Sequence, residues 1–121
     1  MKILLLDDDL FLRDMYATKF KEGGHEVVVA EDGKAALAKL EEEAFDVVML
    51  DMVMPLMNGV DFLKEAKQKS NTGKTKFIVL SNQGEESDKV AAREAGADGY
   101  IIKAESIPSD VVKKVEGFFN G

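Results

Sequence analysis

The sequence predicts an α/β domain, a (βα)5 doubly wound five-stranded parallel sheet, and three observations carry the prediction. Five short runs rich in Val, Ile and Leu recur along the 121 residues. The segments between them space their apolar residues at helical intervals, and turn-forming residues stand at the junctions. Runs that are apolar at consecutive positions belong to strands covered on both faces, which requires parallel strands joined by right-handed crossovers.

The elements follow in order. The first strand is expected at Ile3 to Leu6, and the segment after it places Leu12, Tyr16 and Phe20 four apart on one helical stripe. Gly23-Gly24 ends that helix, and Glu26 to Ala30 forms the second strand. Asp32-Gly33 turns into a helix carrying Leu37, Leu40 and Ala44 on one stripe, followed by a third strand at Asp46 to Leu50. Asn58-Gly59 opens a helix with Phe62, Leu63 and Ala66 on one face. After the Ser70 to Lys74 stretch come a fourth strand, Phe77 to Leu80, and a weaker, alanine-rich helix around Val90 to Ala95, closed by Gly96. Gly99 to Ile102 is the fifth strand. Beyond Pro108, the residues Val111, Val112, Val115, Phe118 and Phe119 share one helical face, which is expected to dock on the sheet. With no linker and no low-complexity tract, residues 1–121 read as one domain.

Composition removes several functional classes. Lys and Arg number 16 against 23 Asp and Glu, a net charge of −7, which argues against nucleic-acid binding by bulk charge. The absence of cysteine excludes disulfides, thiolate metal sites and cysteine nucleophiles. The longest apolar runs are far shorter than the roughly 20 residues of a membrane span. The first residues also lack the apolar region of a signal peptide, so a cytoplasmic location is expected.

In open parallel sheets, ligands bind beyond the carboxyl ends of the strands. Those positions hold Asp7, Asp8 and Asp9 after the first strand, Glu31 after the second, Asp51 after the third, Ser81 after the fourth and Lys103 after the fifth. If strands one and three are neighbours, Asp7, Asp8 and Asp51 crowd into one crevice. Each pair of charges some 4 Å apart costs about 4 kcal/mol at an effective dielectric near 20. Either one acid has a raised pKa or a hard cation binds, and an all-oxygen site with open water positions suits Mg2+. Lys103 and the Ser81 hydroxyl would complete a phosphate pocket.

The same residues carry a specific resemblance. Leu5-Leu6-Asp7-Asp8, the block Asp51-Met52-Val53-Met54-Pro55-Leu56-Met57-Asn58-Gly59, Ser81 after an apolar strand, and Lys103 after Tyr100-Ile101-Ile102 occur together and in order. From residue 1 to about 119 the chain resembles two-component response-regulator receiver domains, the family that includes the chemotaxis response regulator. The resemblance implies a flavodoxin-like strand order, 2-1-3-4-5. It implies that Asp51 is the phosphoacceptor, attacking a phosphohistidine on a sensor histidine kinase or phosphotransfer protein, or a small phosphodonor. Asp8 would bind Mg2+ directly and Asp7 through water. Asp51 and the backbone carbonyl of Val53 would complete the metal site, and Lys103 would pair with the phosphoryl oxygens. Ser81 would hydrogen-bond the new phosphoryl group and Tyr100 would change exposure. These movements would switch a surface built from the last two helices and the strand between them, read by a downstream effector protein. Such a domain is a signalling phosphoacceptor and not a turnover enzyme, and it acts through protein binding, alone or attached to an effector.

Other residues have plainer readings. Asp9 is expected to cap a helix, His25 to be a surface residue, Met52, Met54 and Met57 to pack the loop around Pro55, and Glu41 to Glu43 to form a solvated helix face. Two positions depart from the family pattern. Ala104 follows Lys103 where the family has proline, often through a cis peptide; a trans bond here predicts that Lys103 reaches the pocket only after phosphorylation. Asn82 replaces a small residue and, with Val53 and Gln83, flanks the phosphoryl position, where these side chains would control water access. A haloacid-dehalogenase-type hydrolase needs a second acid where Val53 stands. A flavin-phosphate cradle is opposed by the charge of Asp7 to Asp9.

Overall fold

The five apolar runs form the strands β1 (Lys2–Leu6), β2 (Glu26–Ala30), β3 (Val47–Leu50), β4 (Lys76–Ser81) and β5 (Gly99–Ile102). The helices are α1 (Leu10–Glu22), α2 (Gly33–Glu42), α3 (Gly59–Ala66), α4 (Glu86–Glu94) and α5 (Pro108–Asn120). The structure, a computed structural model, describes residues 1–82 and 84–120. All strand pairs are parallel and the order is β2-β1-β3-β4-β5, as expected. Strand order reverses between β1 and β3, which opens a crevice at their carboxyl ends. No helix among the described residues is long and apolar enough to cross a membrane.

Side-chain alternation divides the strand residues between two cores. Leu4, Leu6, Val48, Leu50, Phe77 and Val79 pack with Leu37 and Leu40 of α2, Phe62 and Leu63 of α3, and Ala92 of α4. Ile3, Leu5, Val47, Met49, Ile78, Leu80 and Ile101 pack with Tyr16 and Phe20 of α1 and Val111 and Val115 of α5. The inner strands are thus dry on both faces, which explains their unbroken apolar runs.

Two stripes are less submerged than their spacing predicts. Ala44 lies beyond the end of α2 and is exposed. On α5, Val111 and Val115 are fully buried, whereas Phe118 and Phe119 are each 37% exposed. Phe118 lies over the first residue of the edge strand β5, where a Cβ on Gly99 would come within 2.6 Å of its ring. Among the described residues no strand lies beyond β5 at that edge to cover Phe118.

Two aspartates begin strands by the same device. The Asp46 N–H donates to Lys2 O at 2.9 Å while its carboxylate accepts from the Lys2 N–H at 2.7 Å. The Asp98 N–H donates to Phe77 O at 2.6 Å while its carboxylate accepts from the Phe77 N–H at 2.8 Å. Asp98→Ala would leave a buried amide unpaired and is expected to lower stability by about 1 to 2 kcal/mol. Denaturant unfolding measures this, and Asp98→Asn, whose amide oxygen still accepts, should recover most of the loss.

Candidate functional site

Four of the five strands deliver one charged or hydroxyl side chain each to the same end of the sheet, while Glu31 after β2 does not line the crevice. Asp7 directly follows β1, Asp51 follows β3, Ser81 is the last residue of β4, and Lys103 opens a single 3-10 turn after β5. They line one crevice of about 280 Å³ together with Asp8, Asp9, Leu12, Val53 and Asn82. Lys103 Nζ donates to Asp7 Oδ2 and to Asp51 Oδ2, at 3.0 Å each. The side chains of Lys103, Asp7 and Asp51 are 7%, 3% and 14% exposed. Ser81 Oγ donates to Asp51 Oδ1 at 2.9 Å, and the Val53 N–H donates to the same oxygen at 3.1 Å. The Asp9 N–H holds Asp7 Oδ1 at 2.9 Å.

Burial on its own lowers the pKa of an ammonium. At Lys103 the hydrogen bonds and charges of Asp7 and Asp51 outweigh it, and the pKa is raised. The expected repulsion among Asp7, Asp8 and Asp51 is therefore met from within the chain, by a lysine between two of the three acids. Spacing locates strand ends but not the reach of a lysine stem from β5, so the sequence reading sought only an acid or a cation. Asp8 is exposed. Asp9 caps α1 as expected, its carboxylate accepting from the Leu12 N–H at 3.1 Å.

The oxygen donors of Asp7, Asp8 and Asp51 share this crevice, and the donor chemistry fits a hard cation that keeps several waters. Among the described residues no three acidic or imidazole groups are drawn together as a preformed metal cluster. Tyr100 on β5 stands behind Ser81. Its phenol pKa is raised by burial, opposed by a hydrogen bond with Ser81, and reinforced by the charges of Asp88 and Asp51. Ser81 thus connects Asp51 to Tyr100.

The loop after β3 is fixed by three local features. Asn58 caps α3, accepting from the Asp61 N–H at 2.9 Å. The Gly59 N–H donates to Met52 O at 3.0 Å, and a Cβ on Gly59 would lie 2.8 Å from Met52 Cα and 2.9 Å from Asp51 O. Leu56 has φ 70° and sits at the centre of a γ-turn closed by the Met57 N–H on Pro55 O at 2.8 Å. Positive φ strains a leucine in a turn of this kind. Because Leu56 is 91% exposed, Leu56→Gly is expected to raise stability by about 1 kcal/mol in denaturant unfolding. Met54 is buried and Met52 and Met57 pack against the core, in line with loop packing.

The family model for the response regulator receiver domain matches residues 3–116. The chain belongs to that family. Receiver domains are the phosphoacceptors of two-component signalling, and this chain is one of them. It is 43% identical over 102 residues to the transcriptional regulatory protein CpxR of Klebsiella pneumoniae, covering 84% of this chain and 42% of that protein. It is 34% identical over 115 residues to the phosphate regulon transcriptional regulatory protein PhoB of Escherichia coli, covering 95% and 50%. The receiver spans about half the length of these curated relatives. The chemotaxis protein CheY4 of Vibrio cholerae superposes with a TM-score of 0.91 at 31% identity, over 97% of each chain. The receiver domain of sensor histidine kinase PA1611 from Pseudomonas aeruginosa, with magnesium in its active-site cleft, shares the fold at 19% identity, with a TM-score of 0.88 and coverage of 99% and 98%.

Two expectations for this receiver are corrected. No cis peptide bond occurs among the described residues, so Lys103-Ala104 is trans, yet the Lys103 amine already contacts Asp51. The 3-10 turn that Lys103 opens delivers the amine without a proline. His25 is not a plain surface residue: its side chain is 11% exposed, with Nε2 2.8 Å from Glu116 Oε2 of α5 and Nδ1 3.0 Å from the Met1 amine. Glu41 and Glu42 are exposed at the end of α2, in line with a solvated face, and Glu43 just beyond it pairs with Lys2 at 2.6 Å. Val53, at 61% exposed, and Asn82 do flank the crevice, while Gln83 lies outside the described residues. Sequence reasoning missed Gly59 as a contact on the backbone of Asp51, although Asn58-Gly59 was visible as a turn.

Proposed function

We propose that Asp51 is the phosphoacceptor of this receiver, and the observation that carries the reading is its carboxylate. It stands at the mouth of the crevice, fixed by Ser81, the Val53 N–H and Lys103. An Asp51 oxygen attacks the phosphorus of a phosphohistidine on a sensor kinase or phosphotransfer protein, or of a small acyl phosphate. The new P–O bond forms as the P–N or P–O bond to the donor breaks, and the leaving group departs in line. Lys103 stabilises the equatorial oxygens with its fixed charge, and Ser81 turns its hydroxyl from the carboxylate to the phosphoryl group.

Receiver domains bind Mg2+ in the active site. Here Asp8 would hold it directly, Asp7 through water, and Asp51 and the Val53 carbonyl would complete the ligand set. The cation supplies charge neutralisation for the incoming phosphoryl group. Every other demand falls on the chain itself: Lys103 orders Asp7 and Asp51, and the Asn58 cap with Gly59 holds the acceptor loop.

Withdrawal of Ser81 from Asp51 alters its bond with Tyr100, which biases the face formed by α4, β5 and α5. A crevice of about 220 Å³ between α4 and β5 already opens there. The output is capture of an effector protein or domain by this face, in the cytoplasm, by a single domain over residues 1–121 that stores one phosphoryl group and does not turn over substrate. Incubation with Mg2+ and acetyl phosphate followed by intact-mass measurement tests the reading. One added phosphoryl group is expected on the wild type and none on Asp51→Asn; turnover of unrelated phosphomonoesters would instead indicate a hydrolase.

A further inference from the structure

The site has a phenol on each face of the sheet. Tyr100 packs on the α2, α3 and α4 side, and Tyr16 of α1 lies on the other, where the resemblance assigns no role. Tyr16 is 3% exposed and belongs to the buried cluster containing Leu5, Ile101 and Val111. By strand alternation Asp7 lies two residues beyond Leu5 on the same face, where the Lys103 amine bonds its Oδ2. Two residues along a strand span about 6.6 Å, within the reach of a tyrosine ring and hydroxyl. Leu12, one helical turn above Tyr16, lines the crevice itself. By this register the ring stands in the core with its hydroxyl end directed toward the Asp7–Lys103 pair.

Both charges are felt there: burial raises the phenol pKa, Lys103 opposes the rise and Asp7 adds to it. The Tyr16 hydroxyl has no hydrogen bond to another described residue, and because it is not a fully buried unpaired atom it keeps a small opening to solvent. A phenol at such a position normally finds a partner. Asp7 Oδ1 is held by the Asp9 N–H, but Oδ2 depends on Lys103, which it shares with Asp51. When Lys103 turns to a group on Asp51, Asp7 Oδ2 loses the donor that the chain itself supplies.

We propose that Tyr16 is a positioning residue whose hydroxyl becomes the donor to Asp7 Oδ2 when Lys103 leaves it, so that the lysine is released to Asp51 without stranding a buried carboxylate. The kinetic part of this proposal rests on the phosphoacceptor reading; the contact itself does not.

NMR of protein labelled with 13Cζ-tyrosine tests the contact, because the chain has two tyrosines and Tyr16→Phe assigns them. In Lys103→Ala or Lys103→Met protein, without any phosphodonor, the Tyr16 Cζ resonance is expected to move downfield as its hydroxyl bonds to the carboxylate. Adding Asp7→Ala to either variant should reverse the movement. With acetyl phosphate and Mg2+, Tyr16→Phe, which keeps the ring, should form the adduct about fivefold more slowly with an unchanged thermal midpoint. A Tyr16 resonance that stays in place in both Lys103 variants overturns the contact, and equal rates for wild type and Tyr16→Phe overturn its role in lysine release. A moved resonance with no adduct on the wild type supports the contact and overturns the phosphoacceptor reading instead.

Discussion

Lys103→Ala is expected to lose both stability and phosphorylation while gaining affinity for a divalent cation. The ammonium lies 3.0 Å from two carboxylates whose side chains are 3% and 14% exposed. Removing one partner of a buried ion pair leaves uncompensated charge and costs about 3 to 5 kcal/mol. A cation entering the crevice no longer meets a resident positive charge, so Mg2+ should bind about tenfold more tightly, equivalent to about 1.4 kcal/mol. Added Mg2+ should then raise the thermal midpoint of the variant more than that of the wild type. Loss of a fixed charge aimed at the transferring phosphoryl group should slow adduct formation by about 10² to 10³. The pH dependence has a definite sign. The Lys103 pKa is raised on folding, so its contribution is complete below the ordinary lysine value and disappears as pH rises through the folded one. Tyr16 and Tyr100 titrate in the same alkaline window with raised values, and because Lys103 holds the Tyr16 value down, Lys103→Ala is compared in a Tyr16→Phe background to assign the lysine's part of the alkaline loss.

Gly59→Ala is expected to damage the site from outside it. The added Cβ would lie 2.8 Å from Met52 Cα and 2.9 Å from Asp51 O, and neither backbone atom can swing away as a side-chain end can. Either the first turn of α3 lifts or the Asp51–Met52 segment moves. Overpacking of this kind costs about 1 to 3 kcal/mol, and a nucleophile displaced by a fraction of an ångström up to about 1 Å loses on the order of 10²-fold in rate. Gly73→Ala is the control, since nothing lies within 4 Å of a Cβ there. Unfolding midpoints and adduct-formation rates of the two variants should separate cleanly.

Much of this was legible in the residues. Ile3–Leu6 and Phe77–Leu80 read as doubly covered strands because β1 and β4 are interior, with a core on each face. Asp7, Asp51, Ser81 and Lys103 could be assigned to one end because parallel strands all point their carboxyl ends the same way. What spacing could not supply was reach and cover. Phe118 falls on the docking face of α5 by periodicity, yet it lies over the edge strand, where cover runs out. Lys103 crosses to Asp7, an ion pair spanning 96 positions that no local pattern encodes. Tyr16 was indistinguishable from core because its ring is core, and the charges of Lys103 and Asp7 felt at its phenol come from strand ends that helical spacing does not show. His25 looked exposed because its partner, Glu116, is 91 residues away.

The central claim is that the phosphoryl group resides on Asp51. Phosphorylating the wild type with Mg2+ and acetyl phosphate, trapping the acyl phosphate with borohydride and sequencing the peptides by mass spectrometry tests it directly. The account predicts homoserine in place of aspartate at position 51 alone. Conversion at Asp7, Asp8 or Asp9, or phosphate recovered on Ser81 with Asp51 untouched, would contradict it.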